Sequence, residues 1–243
     1  MENIIENIRA IRTRIAEACT RVGRHPDEVR LLLATKTVIP QNIKLAFAAG
    51  ETLIGENKVQ EIKEKYDDLK SITHEMHFIG HLQTNKIKGI IKYNVDCVQS
   101  IDRFDLADKL NHRLLQTGRA MDVLIQVNTS SEESKFGVAP EEAVDLVYSV
   151  SQLSNLRIKG LMTIGLVTNN PEQARPCFRL LSDLRSELNR LNFPGVEMNE
   201  LSMGMSGDLE TAIEEGATIV RVGTAIFGLR IYPDSYYWNE GKT

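Results

Sequence analysis

Cysteine is scarce in this chain: 243 residues hold three, Cys19, Cys97 and Cys177. They are far apart and odd in number, and they form neither a CxxC pair nor metal-ligand spacing. A disulfide framework and a cysteine zinc centre are therefore excluded, and the three read as reduced thiols. Long hydrophobic runs are missing too, since no uncharged apolar stretch approaches the roughly 18 residues needed to cross a bilayer. The opening MENIIENIRAIRTRI breaks its apolar residues with charges and so lacks the continuous core of a secretion signal. Nor is there an excess of positive charge: the net charge is -4 and the pI about 5.8. That leaves no basic footprint for nucleic acid or an anionic membrane. Repeats, low-complexity tracts and domain linkers are absent. A soluble, cytoplasmic, monomeric protein that works on small molecules is expected, and 42% apolar residues suffice for a sizeable core.

What is present is an alternation. Ile4, Ile5, Ile8, Ile11 and Ile15 fall on one stripe and predict an amphipathic helix over 3–22. Short apolar runs then follow at 31–36, 52–55, 76–80, 95–100, 121–128, 158–164, 197–203 and 218–223. Segments of helical composition separate them at 41–49, 57–70, 84–92, 103–117, 141–153, 173–191 and 207–215. Eight strands with helical crossovers predict an α/β fold, a single-domain (β/α)8 barrel over about 30–230, with an additional N-terminal helix and a short tail, all within one domain of residues 1–243. An open doubly wound sheet would carry a Gly-rich turn after its first strand, whereas Lys36-Thr37-Val38-Ile39-Pro40 has no glycine.

In such a barrel the chemistry lies at the C-terminal ends of the strands, with phosphate on the loops after strands seven and eight. Lys36 ends the apolar run LLLATK. It either turns out to solvent, as strand-terminal lysines commonly do, or stays partly desolvated with a lowered pKa, the state suited to a Schiff-base amine. Leu201-Ser202-Met203-Gly204-Met205-Ser206-Gly207-Asp208 and Arg221-Val222-Gly223-Thr224-Ala225 occupy the phosphate-loop positions. Hydroxyls and glycine-permitted amides can clamp a phosphate monoester without lysine, so Ser206, Gly223 and Thr224 are the candidates, with Ser202 in the same turn. The alternatives are that Ser206 only caps the next helix and Gly223 only ends a strand.

A phosphate anchored there, beside an amine at the end of the neighbouring first strand, describes a pocket for pyridoxal 5'-phosphate (PLP). Arg221 would then face the pyridine nitrogen and, as a pure donor, keep it unprotonated and the chemistry mild. Its alternative role is an ion pair with Asp208 or Glu200. Asn57 could reach the cofactor or serve as a helix N-cap, and Met162 could pack on the ring or fill the barrel. His77 and His81 lack further ligands at metal spacing, so hydrogen-bonded histidines are expected and no metal is assigned.

The motifs LLLATK, GENKVQE (55–61), HFIGHLQTNK (77–86), KFGV (135–138), GLMTI (160–164), LSMGMSGDLETAI (201–213) and RVGTAIFG (221–228) occur together in order. From the first strand to about Gly228 the sequence resembles the pyridoxal phosphate homeostasis proteins, single-domain relatives of the alanine racemase barrel. The resemblance implies a PLP-bound barrel with Lys36 as the imine-forming lysine, Arg221 toward the pyridine nitrogen and the phosphate on Ser206, Gly223 and Thr224. It further implies a cytoplasmic protein that buffers or delivers PLP, with apo PLP-dependent enzymes as partners and no established turnover. One departure is Lys58, where an aromatic residue often stands; it adds positive charge near the mouth.

Two other functions compete. An amino-acid racemase of this fold needs a second base, supplied in the racemases by a tyrosine of a following β-domain. Here the chain ends fifteen residues after Gly228, so that domain is not expected, although the tail carries Tyr232, Tyr236 and Tyr237. The other competitor is a phosphate-binding barrel without PLP, in which Lys36 pairs with a sugar phosphate.

Overall fold

The computed structural model describes residues 2–132 and 135–228. Helix α1 (Glu2–Arg21) precedes eight strand-helix units: β1 (Arg30–Ala34) and α2 (Pro40–Ala48); β2 (Leu53–Glu56) and α3 (Val59–Leu69); β3 (Glu75–Phe78) and α4 (Ile87–Lys92); β4 (Cys97–Ile101) and α5 (Phe104–Leu115); β5 (Met121–Gln126) and α6 (Ala143–Ser151); β6 (Leu156–Met162) and α7 (Pro171–Leu191); β7 (Val196–Ser202) and α8 (Leu209–Glu214); β8 (Ile219–Val222) and α9 (Thr224–Phe227). The strands pair in parallel in chain order, and β8 returns to β1 to close the barrel, with Leu32 opposite Arg221 and Leu33 opposite Val222. The fold is therefore the expected (β/α)8 barrel with an added N-terminal helix.

Alternation along β1 shows how the core divides. Leu31 and Leu33 face the helices and join one large apolar cluster. Leu32 faces inward and packs with Leu53, Ile219 and Ile79, while Cys97, Leu124, Met162 and Ile164 make a second small cluster. Polar side chains, described below, connect across the barrel. All three cysteines are buried free thiols. Gly160 permits β6 and β7 to approach closely, since a Cβ there would lie 1.9 Å from the Glu200 carbonyl oxygen.

The stripe of α1 is buried as its spacing predicts, through Ile4, Ile8, Ile11 and Ile15. Polar bonds fix where it docks: Asn7 Nδ2 donates to the Ile226 carbonyl at 3.0 Å, and Arg14 reaches Glu210 with two nitrogens at 2.6 and 2.9 Å. Elsewhere boundaries move for local reasons. Helix α7 starts at Pro171, two residues earlier than expected, because the Asn170 side chain accepts from Glu172 N and proline needs no amide partner at the first position. The expected helix 84–92 divides into a 3-10 turn, Thr84–Lys86, and α4. Among the described residues no helix is long and apolar enough to cross a membrane.

Candidate active site

Lys36 lies just past the end of β1 and is 9% exposed. The solvent-pointing alternative is thus replaced by a buried amine at the mouth. Both of its neighbours are tethered to α3. Lys65 Nζ donates to the Thr35 carbonyl at 2.8 Å, and Thr35 Oγ1 donates to Glu56 Oε1 at 2.7 Å. Thr37 N donates to Glu61 Oε2 at 2.6 Å, and Lys65 bridges Glu56 and Glu61 at 2.8 Å each. Burial pushes the Glu56 carboxyl up, and the Lys65 ammonium pulls it back. Thr37 has φ +65°, a conformation costly for a β-branched residue. The turn carrying Lys36 is therefore held in a strained shape by a buried ion cluster.

The two glycine-containing turns lie side by side. Met203 N donates to the Ile219 carbonyl at 3.1 Å, Arg221 N donates to Gly204 at 3.0 Å, and the Thr224 hydroxyl donates to Ser206 Oγ at 3.4 Å. Ser206 does not cap α8. Asp208 stands at that N-cap, accepting from Met205 N at 2.6 Å through its own side chain. Burial pushes the Asp208 carboxyl up, and the Met205 amide and Arg221 charge oppose this. Arg14 Nη2 donates to the Ser206 carbonyl at 3.0 Å, so α1 braces the turn from behind. Gly223 leads directly into α9 and accepts from Ile226 N and Phe227 N.

Arg221 is buried, donating from Nη1 to Ser202 Oγ at 2.8 Å and from Nη2 to the Thr163 carbonyl at 2.7 Å. The expected alternative of a Glu200 ion pair does not form, because Glu200 pairs with Arg30 at 3.2 Å. Burial lowers the Arg221 pKa to about 10, with the Asp208 charge raising it, so the guanidinium keeps its charge at neutral pH. Ser202 is wholly buried under Arg221 and gives its hydrogen to Gln99 Oε1 at 2.6 Å. Its hydroxyl thus supports the arginine and is turned away from the role of a phosphate ligand.

Asn57 is not an N-cap: Lys58 stands there, and no side chain caps α3. The buried Asn57 Oδ1 has no hydrogen-bond partner among the described residues. Gly80 makes room for its backbone, since a Cβ at 80 would lie 2.2 Å from the Asn57 carbonyl. Met162 occupies the barrel-filling position beside Cys97 and Leu124. His77 is hydrogen-bonded on both ring nitrogens, and His81 stacks on Phe136 with ring centroids 3.8 Å apart. Tyr232, Tyr236 and Tyr237 lie outside the described residues.

The structure therefore brings Lys36, Ser206, Gly223, Thr224 and the Arg221 head to one end of the barrel, on the adjoining strands β1, β7 and β8 and the turns that follow them. The family described as alanine racemase, N-terminal domain, matches residues 1–231. Over 230 residues the chain is 46% identical to the pyridoxal phosphate homeostasis protein of Aquifex aeolicus, covering 95% of this chain and 100% of that one. The chain belongs to this family. PipY of Synechococcus elongatus, solved with PLP bound, superposes with a TM-score of 0.82 at 30% identity, covering 93% of this chain and 100% of that one. Alanine racemase of Clostridium difficile shares the fold, with a TM-score of 0.74 at 14% identity over 96% of this chain and 58% of that one.

Some supporting roles were not readable from the motifs. Thr35 and Glu61 lie in LLLATK and GENKVQE, and Lys65 lies outside both, but the clamp they make on the Lys36 turn exists only through tertiary contact. Gln99 and His77 did leave a signal, since polar residues at inward-facing positions of otherwise apolar strands require partners inside the barrel.

Proposed function

We propose that this chain is a PLP-binding protein of the cytoplasm, a monomer whose single domain spans residues 1–243, and that it buffers free PLP or delivers it to apo PLP-dependent enzymes. The observation that carries the reading is the buried Lys36, clamped at the end of β1, beside two hydroxyl-bearing turns joined through Ser206 and Thr224. PLP bound here supplies an aldehyde that condenses with a primary amine, releasing water.

The residues present fit that group. Lys36 offers the amine, and Ser206, Thr224 and the Gly223 amide offer donors to a phosphate. Arg221 offers a charged donor for the ring nitrogen, because two of the five N–H groups of a guanidinium are used in its bonds to Ser202 and Thr163. The unpartnered Asn57 Oδ1 is a buried acceptor that gains a partner if a ligand donor meets it. Met162 would back the ring from the barrel interior. A permanently charged donor at the ring nitrogen keeps that nitrogen unprotonated and weakens electron withdrawal, which suits storage better than turnover. No group among these residues takes the part of a second base on the opposite face, and racemase turnover is not expected.

Titration of the ligand-free protein with PLP tests this reading. A saturable visible imine band at one equivalent supports it, together with transfer of the bound PLP to an apo-enzyme faster than release into buffer. A protein that stays colourless and binds sugar phosphates instead would favour a phosphate-binding barrel.

A further inference from the structure

A chain of buried polar groups crosses the barrel from the mouth to the opposite end. Arg221 Nη1 meets Ser202 Oγ at 2.8 Å, Ser202 Oγ meets Gln99 Oε1 at 2.6 Å, Gln99 Nε2 meets His77 Nδ1 at 2.7 Å, and His77 Nε2 meets Glu75 Oε1 at 2.6 Å. Ser202, Gln99 and His77 are essentially inaccessible to water. Glu75, at the first residue of β3, is in turn held by Arg30 at the first residue of β1. The hydrogen bonds of His77 and Gln99 go to other members of this chain of groups, so their role is read through it.

The direction of every bond follows from the two ends. A guanidinium only donates, so Ser202 accepts from Arg221 and its own hydrogen goes to Gln99 Oε1. The Gln99 amide then has only its NH2 left for His77, which makes Nδ1 the acceptor and puts the ring hydrogen on Nε2. That hydrogen points at the Glu75 carboxylate, which only accepts. All donations run from Arg221 toward Glu75. Reversing the Gln99 amide would leave the Ser202 hydrogen with no acceptor, and a buried unmade bond of that kind is costly.

We propose that Glu75, His77, Gln99 and Ser202 are positioning residues that hold the Arg221 guanidinium in one orientation, so that its remaining N–H groups meet the ring nitrogen of a bound PLP in a fixed geometry. The role assigned to the ring rests on the proposed function; the relay itself is a property of the ligand-free chain.

The test reads both levels. In ligand-free, nitrogen-15-labelled protein, His77 is expected to show an unprotonated Nδ1 and a protonated Nε2, and the Arg221 Nη protons to exchange slowly with solvent. Gln99→Met, which keeps the side-chain length and deletes both relay bonds, and His77→Phe, which lies two links away from Arg221, are each expected to speed that exchange about tenfold or more. Glu75→Gln retains an acceptor and is expected to preserve it. Leu124→Ala, an interior substitution off the relay, controls for simple loosening of the barrel and should leave it unchanged. With PLP added, Gln99→Met is expected to retain the imine band but shift its wavelength and its pH midpoint from those of the wild type.

A His77 carrying its hydrogen on Nδ1, or Arg221 protons indifferent to both relay variants yet sensitive to Leu124→Ala, would overturn the relay. A wild-type protein with the expected His77 tautomer and protected Arg221 but no imine band would leave the relay standing and remove the PLP reading. If Gln99→Met fails to fold, the His77 tautomer in the wild type and the His77→Phe exchange rates decide.

Discussion

Lys65 Nζ donates to the Thr35 carbonyl at 2.8 Å, so the peptide group that leads into Lys36 is tied to a buried ion cluster. The same ammonium neutralises Glu56, which is wholly buried. Removing it leaves a carboxylate uncompensated in the interior, a change that typically costs about 3–5 kcal/mol. Lys65→Met is expected to lose stability of that order in urea unfolding, and the double variant Lys65→Met with Glu56→Gln to regain much of it. Equal instability of the single and double variants would show that the cluster does not act as a pair.

Arg14 links α1 to the turn that carries Ser206, through the Ser206 carbonyl and Glu210. Arg14→Ala is expected to weaken PLP binding by about 3- to 10-fold, from one lost bond's worth of turn rigidity, while imine formation at saturating PLP is retained. Thr224→Val removes a hydroxyl that we propose as a phosphate donor and is expected to cost about 10- to 100-fold in affinity. Equilibrium titrations monitored at the imine band check both.

Close backbone approach makes a sharper prediction about stability. A methyl group at Gly160 would collide with the Glu200 carbonyl, whereas one at Gly207 meets nothing within 4 Å. Gly160→Ala is expected to destabilise by about 1–3 kcal/mol or more, and Gly207→Ala to stay within about 0.5 kcal/mol of the parent. Thermal unfolding of the two variants separates them.

Two carboxylates that share Arg30 respond to pH in opposite directions. The His77 hydrogen bond, and then the Arg30 charge and hydrogen bond, hold Glu75 below its ordinary value of 4.5, against the cost of burial. Its contribution is present above that value and is lost as pH falls through the lower folded-state pKa. Burial instead raises Glu200, against the Arg30 charge, so its contribution diminishes as pH rises through the window above 4.5. Wild type minus Glu75→Gln stability is therefore expected to shrink on acidification below about pH 4.5. Wild type minus Glu200→Gln should move the other way. Urea midpoints measured from pH 3 to pH 7 check the signs, and parallel curves for the two variants would contradict the assignment.

The barrel was legible because its periodicity is strong. Every predicted strand overlaps an observed one, including the run at 95–100, which became Cys97–Ile101 after an irregular pairing with β5. The placement of Lys36, Ser206, Gly223, Thr224 and Arg221 at one end of the barrel was legible, because the fold fixes which strand ends form the mouth. What lies behind them was not. The clamp on the Lys36 turn joins residues 20 to 30 positions apart, such as Thr35 with Lys65, and no motif records that meeting. Ser202, in the same stretch as Ser206, is a cofactor-binding candidate in the sequence. Strand parity instead sends it inward, under Arg221. Asp208 at the N-cap position of α8, with its side chain turned back to Met205 N, likewise became visible only in the turn geometry.

The central claim is that Lys36 is the amine that captures PLP. Borohydride reduction of the PLP-loaded protein, followed by peptide mapping in a mass spectrometer, tests it most directly, because reduction fixes an imine as a stable secondary amine. A single phosphopyridoxyl group is expected on the peptide containing Lys36 and none on the folded Lys36→Ala variant. Label on another lysine with Lys36 unmodified, or no label on a protein that still binds PLP, would contradict the account.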